Sequence, residues 1–344
     1  HTQLQMDGTR NVWIVKPGYG SRGRGIKCFD DMQNIIAYAT GRKKAAVVQK
    51  YVENCMTLTG RKFDIRCWVL VSNWNPLTVW TYEPYIRICT SDHSLDAAAL
   101  ANQYAHLCNR CVQANGAYNA SADGGTGSMW SVDAVKRYFS QVEQPAMPGA
   151  EPGEVWDKIE RQLKQLSVLA MHSAQESVQN RPGCFEWFGM DFMVDTDLQC
   201  WMLECNVSPD LSTGTRVLDR LVPNAMEGAF DMLLAEPRDR PAYADGCWEL
   251  AFHGKKVTAD VLQKRYWLKK SLLSELRAGR PYSLRDALQV KVGALTKTFL
   301  SAKGQGARNK GQKGWAKVRA VVRKKKKPET SSEDSGSDSG DEEE

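Results

Sequence analysis

Two short apolar runs hold the residues best suited to chemistry in this chain. Phe185 to Phe192 sets Asp191 among aromatic and small apolar neighbours, and Trp201 to Asn206 sets Glu204 and Asn206 two residues apart. Both runs read as strands, and residues two apart on a strand share a face. Side-chain oxygens from Asp191, Glu204 and Asn206 on adjacent strands suit a hard cation such as Mg2+, which commonly keeps water and nucleotide phosphates as further ligands. Taken alone, the same runs also fit two half-buried strands with solvated acids, so the residues upstream decide.

Those residues begin with Asn11 to Pro17, an apolar strand ending in Lys16 and a proline stop. Gly18 to Ile26 follows, a loop with four glycines and the cations Arg22 and Arg24. Glycine lets backbone N–H groups approach an anion closely, and the arginines neutralise it, although the loop is neither a P-loop nor a dinucleotide fingerprint. A helical pattern over Asp30 to Thr40 leads to a strand at Ala46 to Lys50, and Gln49 to Val52 offers backbone groups to a base edge. A further strand opens at Lys62, and its period of two puts Lys62, Asp64 and Arg66 on one face. Such alternating charges are either solvated or line a cleft. The apolar run from Cys67 to Val71 directly behind them favours the cleft.

In this order the motifs resemble the tubulin-tyrosine-ligase-like family of ATP-grasp ligases, over about residues 9 to 235, and Asn73 to Trp80 resembles the glycine-ligating branch. The fold so implied is α+β, a partial ATP-grasp with mixed, mainly antiparallel sheets and flanking helices, followed by a disordered tail. The implied divisions are residues 1–50 (end of the central nucleotide-binding domain), 51–240 (C-terminal catalytic domain with the Mg2+ site), 250–327 (basic extension with one amphipathic helix) and 328–344 (acidic tail). By resemblance Lys16, Arg22 and Gly23 hold ATP phosphates, while Gln49, Lys50, Tyr51 and Val52 lie against adenine. Lys62 reaches a phosphate, Asp64 the ribose or a neighbouring polar group, and Asn109 the nucleotide. Arg66 and Arg87 hold substrate carboxylates, and Asp191, Glu204 and Asn206 bind Mg2+. Lys62, Arg66, Arg87 and Glu204 form the catalytic set. Cys108 departs from the family pattern, which often has threonine before the asparagine.

The resemblance implies ATP- and Mg2+-dependent ligation of free glycine to glutamate side chains of tubulin C-terminal tails through an acyl phosphate. It implies a monomer of the cytoplasm and cytoskeleton, acting on the axoneme of cilia or flagella. Glutamate or tyrosine ligation by the same fold, or an inactive microtubule- or nucleic-acid-binding remnant, are the alternatives. His1 lies only fifteen residues before Lys16, whereas ATP-grasp ligases place an N-terminal domain and the start of the central domain before that lysine. The chain is therefore expected to be the C-terminal part of a longer protein or a truncated gene model.

Composition agrees with a globular chain carrying a charged tail. The sequence has no apolar run long enough to span a membrane. Its ten cysteines are scattered, and Cys108-x-x-Cys111 lacks a second pair at zinc spacing, which favours reduced, buried thiols. The formal net charge of +6 conceals two blocks. Residues 255–327 hold 22 Lys and Arg against three acids, whereas residues 328–344 hold eight acids. Blocks of this kind are typical of disordered interaction tails, and the basic one steers toward an acidic polymer. Tubulin tails fit that role better than nucleic acid, since aromatic interleaving is sparse.

Overall fold

The computed structural model describes residues 10–18, 22–41, 45–115, 127–141, 154–235 and 248–277. The chain divides into two units, residues 1–263 and 264–344. The expected acidic tail, most of the basic extension and the tip of the glycine loop lie outside the described residues.

The first unit is built on β5 (Arg61–Trp74), a fourteen-residue strand. Its second half pairs antiparallel with β6 (Leu77–Tyr82) and its first half with β7 (Tyr85–Ile88). Its other edge pairs with β9 (Glu186–Val194), which pairs in turn with β10 (Cys200–Val207). With β11 (Trp248–His253) beyond β6, the order is β10-β9-β5-β6-β11, and β8 (Met129–Ser131) adds to β7. This is the mainly antiparallel α+β arrangement expected of the sequence.

Alternation along β5 divides the core. Ile65, Cys67, Val69 and Val71 face one layer, formed with α-helices Val132–Gln141 and Val155–Ala174. Trp68 and Leu70 face the other layer, under the helix Arg216–Leu234. Ser131 starts the first of these helices, its Oγ accepting from the N–H of Ala134, and Thr215 caps the third in the same way. Apolar residues at helical spacing (Val217, Leu221, Met226, Phe230 and Leu233) predict this helix, and its buried face is rotated from that row. Leu218, Leu221, Val222, Ala225, Ala229 and Met232 are buried, whereas Met226 and Phe230 are 38% and 49% exposed. The helix packs over Trp68, Trp80 and Trp248 of β5, β6 and β11, with Trp187 of β9 at the margin of the same cluster.

A smaller three-stranded sheet has β1 (Trp13–Pro17) between β2 (Lys27–Phe29) and β3 (Ala46–Lys50). The helix Met32–Thr40 lies beside it and buries none of its residues, and Val47 and Val48 of β3 are exposed. Glu53 ties this sheet to the chain that follows, accepting from the N–H groups of Arg10 and Val12.

The run Asn73 to Trp80 turns the β5–β6 hairpin. Asn180 accepts from the N–H groups of Trp74 and Asn75, and Asn75 exchanges hydrogen bonds with the backbone of Val257. Eight residues of strand separate Trp74 from Arg66, about 26 Å at the rise of an extended chain. The run is thus a structural hairpin remote from the charged end of β5.

The two helix faces make opposite predictions. Leu221→Ala should cost about 2–5 kcal/mol, as for a fully buried leucine, and Met226→Ala no more than about 0.5 kcal/mol. Urea unfolding of the two variants checks the assignment.

Candidate functional site

The charged end of β5 lies against β7 and β9, and its register sets the site. Cross-strand partners pair Asp64 with Arg87, Arg66 with Asp191, and Asp191 with Glu204, all on the face that continues to Trp68. Directly opposed residues share a face in an antiparallel ladder. A bulge between Met202 and Glu204 moves Leu203 out of register and brings Glu204 opposite Asp191. Gly189 makes room beside this row: a Cβ there would lie 2.8 Å from the Cβ of Pro209 and 3.1 Å from Nη1 of Arg66.

The four central charges are buried and form one network. Arg87 donates through Nε and Nη2 to the two oxygens of Asp64, at 2.6 and 2.7 Å. Arg66 donates through Nε and Nη2 to the two oxygens of Asp191, and Nη2 of Arg87 lies 2.9 Å from Oδ2 of Asp191. Burial works against the charge of Asp191, but Arg87 and Arg66 outweigh it and hold its carboxyl below the usual carboxylate range. At Asp64 burial prevails over Arg87, and the carboxyl is raised.

Lys62, also buried, donates 2.9 Å bonds to the hydroxyl of Tyr51 and to the carbonyl of His106. The Tyr51 hydroxyl also meets Nδ1 of His106 at 2.8 Å and Nε2 of His93 at 3.2 Å. Lys50 is engaged elsewhere, with Glu53 and the carbonyl of Val12, so only its backbone is left for a ligand. Lys16 is half-buried, which lowers its pKa, and Glu204 partly restores it.

Two adjoining cavities collect the expected residues. The larger, about 420 Å3, is lined by Lys16, Arg22, Gly23, Arg66, Arg87, Asn109, Glu204 and Asn206. The narrower, about 100 Å3, is lined by Gln49, Lys50, Tyr51, Val52, Lys62, Asp64 and Asp191, with Ile14, Ile26, Met193 and Leu203 as its apolar walls. Lys16, Arg87, Asn109 and Glu204 border both. Gly23, at φ 71°, is pressed against Asn109, where a Cβ would lie 3.3 Å from Oδ1. All the residues expected at the site therefore converge on these two cavities.

Among the described residues no group of three His, Cys, Asp or Glu side chains forms a metal site. The donor set for a hard cation is instead two carboxylates and an amide. Nδ2 of Asn206 donates to Gly189 and to Oε1 of Glu204, which leaves Oδ1 of Asn206 and the second oxygen of Glu204 for a ligand. Asp191, expected as a ligand, accepts from Arg66 and Arg87 through its two oxygens. The oxygen-only chemistry fits Mg2+, with Glu204 and Asn206 as the open positions.

Sequence reasoning missed two contributors. His106, to which the sequence assigns no role, anchors both Tyr51 and Lys62. Arg110 lines the larger cavity and donates at 2.9 Å to the carbonyl of Thr213, a contact across 103 residues with no local signal. Cys108 is buried with its Sγ 3.5 Å from that of Cys89, while Cys111 is exposed. No helix among the described residues is long and apolar enough to cross a membrane.

Burial, followed by the charge of Lys62, depresses His93 and His106 to about 4 from the ordinary 6.5. The unfolded chain then binds protons that the fold refuses. The stability from these neutral imidazoles is complete above about pH 6.5 and lost as the pH falls toward about 4. Thermal unfolding of His106→Asn should fall less over that window than the unaltered chain, and an equal fall would mean His106 is charged when folded.

The model of the tubulin-tyrosine ligase family matches residues 2–241. Tubulin glycylase 3B of Tetrahymena thermophila is 33% identical over 262 residues, 74% of this chain and 21% of its own length. Tubulin monoglycylase TTLL3 of Homo sapiens is 34% identical over 270 residues, 76% of this chain and 33% of its own. Protein monoglycylase TTLL8 of Mus musculus is 34% identical over 247 residues, 69% and 28% respectively. The chain spans between a fifth and a third of the length of these relatives. By the extent of the family match, the chain belongs to the tubulin-tyrosine ligase family.

Proposed function

We propose that this protein is an ATP- and Mg2+-dependent carboxylate–amine ligase that joins glycine to glutamate side chains in the C-terminal tails of tubulin. One observation carries the reading. Six cations, Lys16, Arg22, Arg24, Arg66, Arg87 and Arg110, border a single cavity together with the open oxygens of Glu204 and Asn206. The narrow cavity beside it, with apolar walls and the backbone of Gln49 to Val52, suits a planar base. The relatives named as glycylases support glycine as the amino acid. The remote β5–β6 hairpin makes no contact that would select it.

In this reading Lys62, held by Tyr51 and His106, and Lys16 neutralise the phosphates of ATP, with the Arg22–Gly23 loop closing over them. Asp191 and Asp64 fix Arg66 and Arg87, and Nη1 of Arg66 is left for a substrate carboxylate. Mg2+ held by Glu204 and Asn206 supplies charge compensation at the transferring phosphoryl group. A glutamate carboxylate oxygen attacks the γ-phosphorus, whose bond to the ADP oxygen breaks. The neutral amine of glycine then adds to the acyl carbon. The C–O bond to phosphate breaks, phosphate leaves, and the nitrogen gives up a proton to water. Preorganised positive charge over the developing oxyanions is the main contribution of the chain to both steps. The basic block of residues 255–327 supplies attraction to acidic tubulin tails, and the proposed setting is the cytoskeleton, including ciliary and flagellar axonemes.

Labelled glycine, ATP and Mg2+ with purified microtubules test the reading, using full-length TTLL3 as a positive control. Incorporation should require ATP and fall roughly a hundredfold or more in Glu204→Gln, a loss of about 3 kcal/mol in transition-state stabilisation. Incorporation of glutamate or tyrosine in place of glycine would move the chain to another branch. Gly189→Ala should displace Arg66, lowering transfer while ATP affinity, measured by calorimetry, stays within about twofold.

A further inference from the structure

The larger cavity carries more positive charge than one nucleotide and one acceptor carboxylate use. Its six cations stand against two carboxylates in the lining, Glu204 and Asp210. Arg66 and Arg87 are balanced by Asp64 and Asp191. Lys16 and Arg22 face the phosphates in the reading above. Arg24 and Arg110 are left without a role.

The fold brings these two arginines to one part of the wall. A Cβ on Gly23, the residue before Arg24, would lie 3.3 Å from Oδ1 of Asn109 and 2.8 Å from Cγ2 of Val112, so the glycine loop is pressed against the segment that carries Arg110. Neither arginine borders the narrow cavity, whereas Lys16, Arg87, Asn109 and Glu204 border both. Arg24 and Arg110 therefore stand away from the pocket suited to a base. Arg24 is exposed and Arg110 half-buried, open to a ligand that arrives from solvent.

Arg110 is positioned by neutral groups. Its Nη2 donates to the carbonyl of Thr213 at 2.9 Å, and its Nη1 lies 3.4 Å from the carbonyl and the hydroxyl of Ser212. Gly214, at φ 103°, gives the guanidinium room, since a Cβ there would lie 3.0 Å from Nη2. Neutral acceptors fix the group and leave its charge uncancelled. Among the described residues neither Arg24 nor Arg110 makes an ion pair. Hydrogen bonds from the hydroxyl and N–H of Ser212 hold the Asp210 carboxyl below its usual range, with further contributions from Arg110 and Arg22. One carboxylate among three arginines leaves this corner cationic. A second carboxylate on the acceptor is the complementary group, and a guanidinium fork is the fitting donor.

We propose that Arg24 and Arg110 form a specificity subsite that reads a carboxylate next in sequence to the glutamate being modified. The inference deepens the ligase reading and rests on it.

Binding without transfer tests it, using the whole chain with Mg2+ and a non-hydrolysable ATP analogue. Fluorescent, end-capped Ala-Gly-Glu-Glu-Gly-Ala and its two variants with one Glu replaced by Gln are titrated by anisotropy. The diacidic peptide should bind about tenfold more tightly than either monoacidic one. Arg110→Gln and Arg24→Gln should each bring that ratio within about threefold, and leave the monoacidic affinities within about twofold. Equal weakening of all three peptides would make Arg110 a strut for residues 212–214 and overturn the proposal. So would an unchanged ratio, which would place the second carboxylate elsewhere, for instance on the basic block, or the absence of saturable binding. Failure of the ligase reading looks different: no glycine enters microtubules, yet the ratio still depends on Arg110, and the carboxylate subsite stands.

Discussion

Everything at the charged end of this molecule depends on the buried network of Asp64, Arg66, Arg87 and Asp191. Charges removed from water are tolerable only when paired and hydrogen-bonded, and a pair that loses one partner leaves an uncompensated charge behind. Here two carboxylates and two guanidinium groups compensate one another across β5, β7 and β9, so strand register and electrostatics are the same fact. A slip of one residue would turn all four side chains to the opposite, apolar face. The arginines are consequently held in place before any substrate arrives, which is the condition for electrostatic catalysis.

The same strand serves two incompatible environments. On one face of β5 the order Lys62, Asp64, Arg66 passes directly into Trp68 and Leu70, so the face is a charged cleft at one end and a helix-covered core at the other. On the opposite face Ile65 to Val71 is apolar throughout. The long strand thereby anchors the cleft in the buried core.

The nucleotide end follows a different principle, in which neutral groups position a charged one. Tyr51 and the His106 carbonyl accept from Lys62, and the two imidazoles near them are kept neutral by burial and by that lysine. Lys62 is therefore fixed without a carboxylate that would cancel its attraction for phosphate. Lys50, next to Tyr51 in sequence, is paired with Glu53 and serves the junction between the two sheets.

Much of this was legible in the residues themselves. Period-two alternation placed Lys62, Asp64 and Arg66 on one face, and the strands of Asp191 and Glu204 were apparent from their apolar neighbours, because a strand imposes its periodicity locally. Ser131, a cap residue ahead of a helical pattern, announces the helix that follows it for the same local reason. Tertiary structure alone decided which face of the helix Arg216–Leu234 is buried, since Met226 and Leu218 have equal claims until the strands beneath are known. It alone decided that Asp191 meets two arginines and that Arg110 reaches Thr213. Those contacts join residues far apart in the chain, and no spacing rule encodes them. Local chemistry is written in the sequence at short range, whereas the partners that set charge, burial and access come from the way the strands register in space.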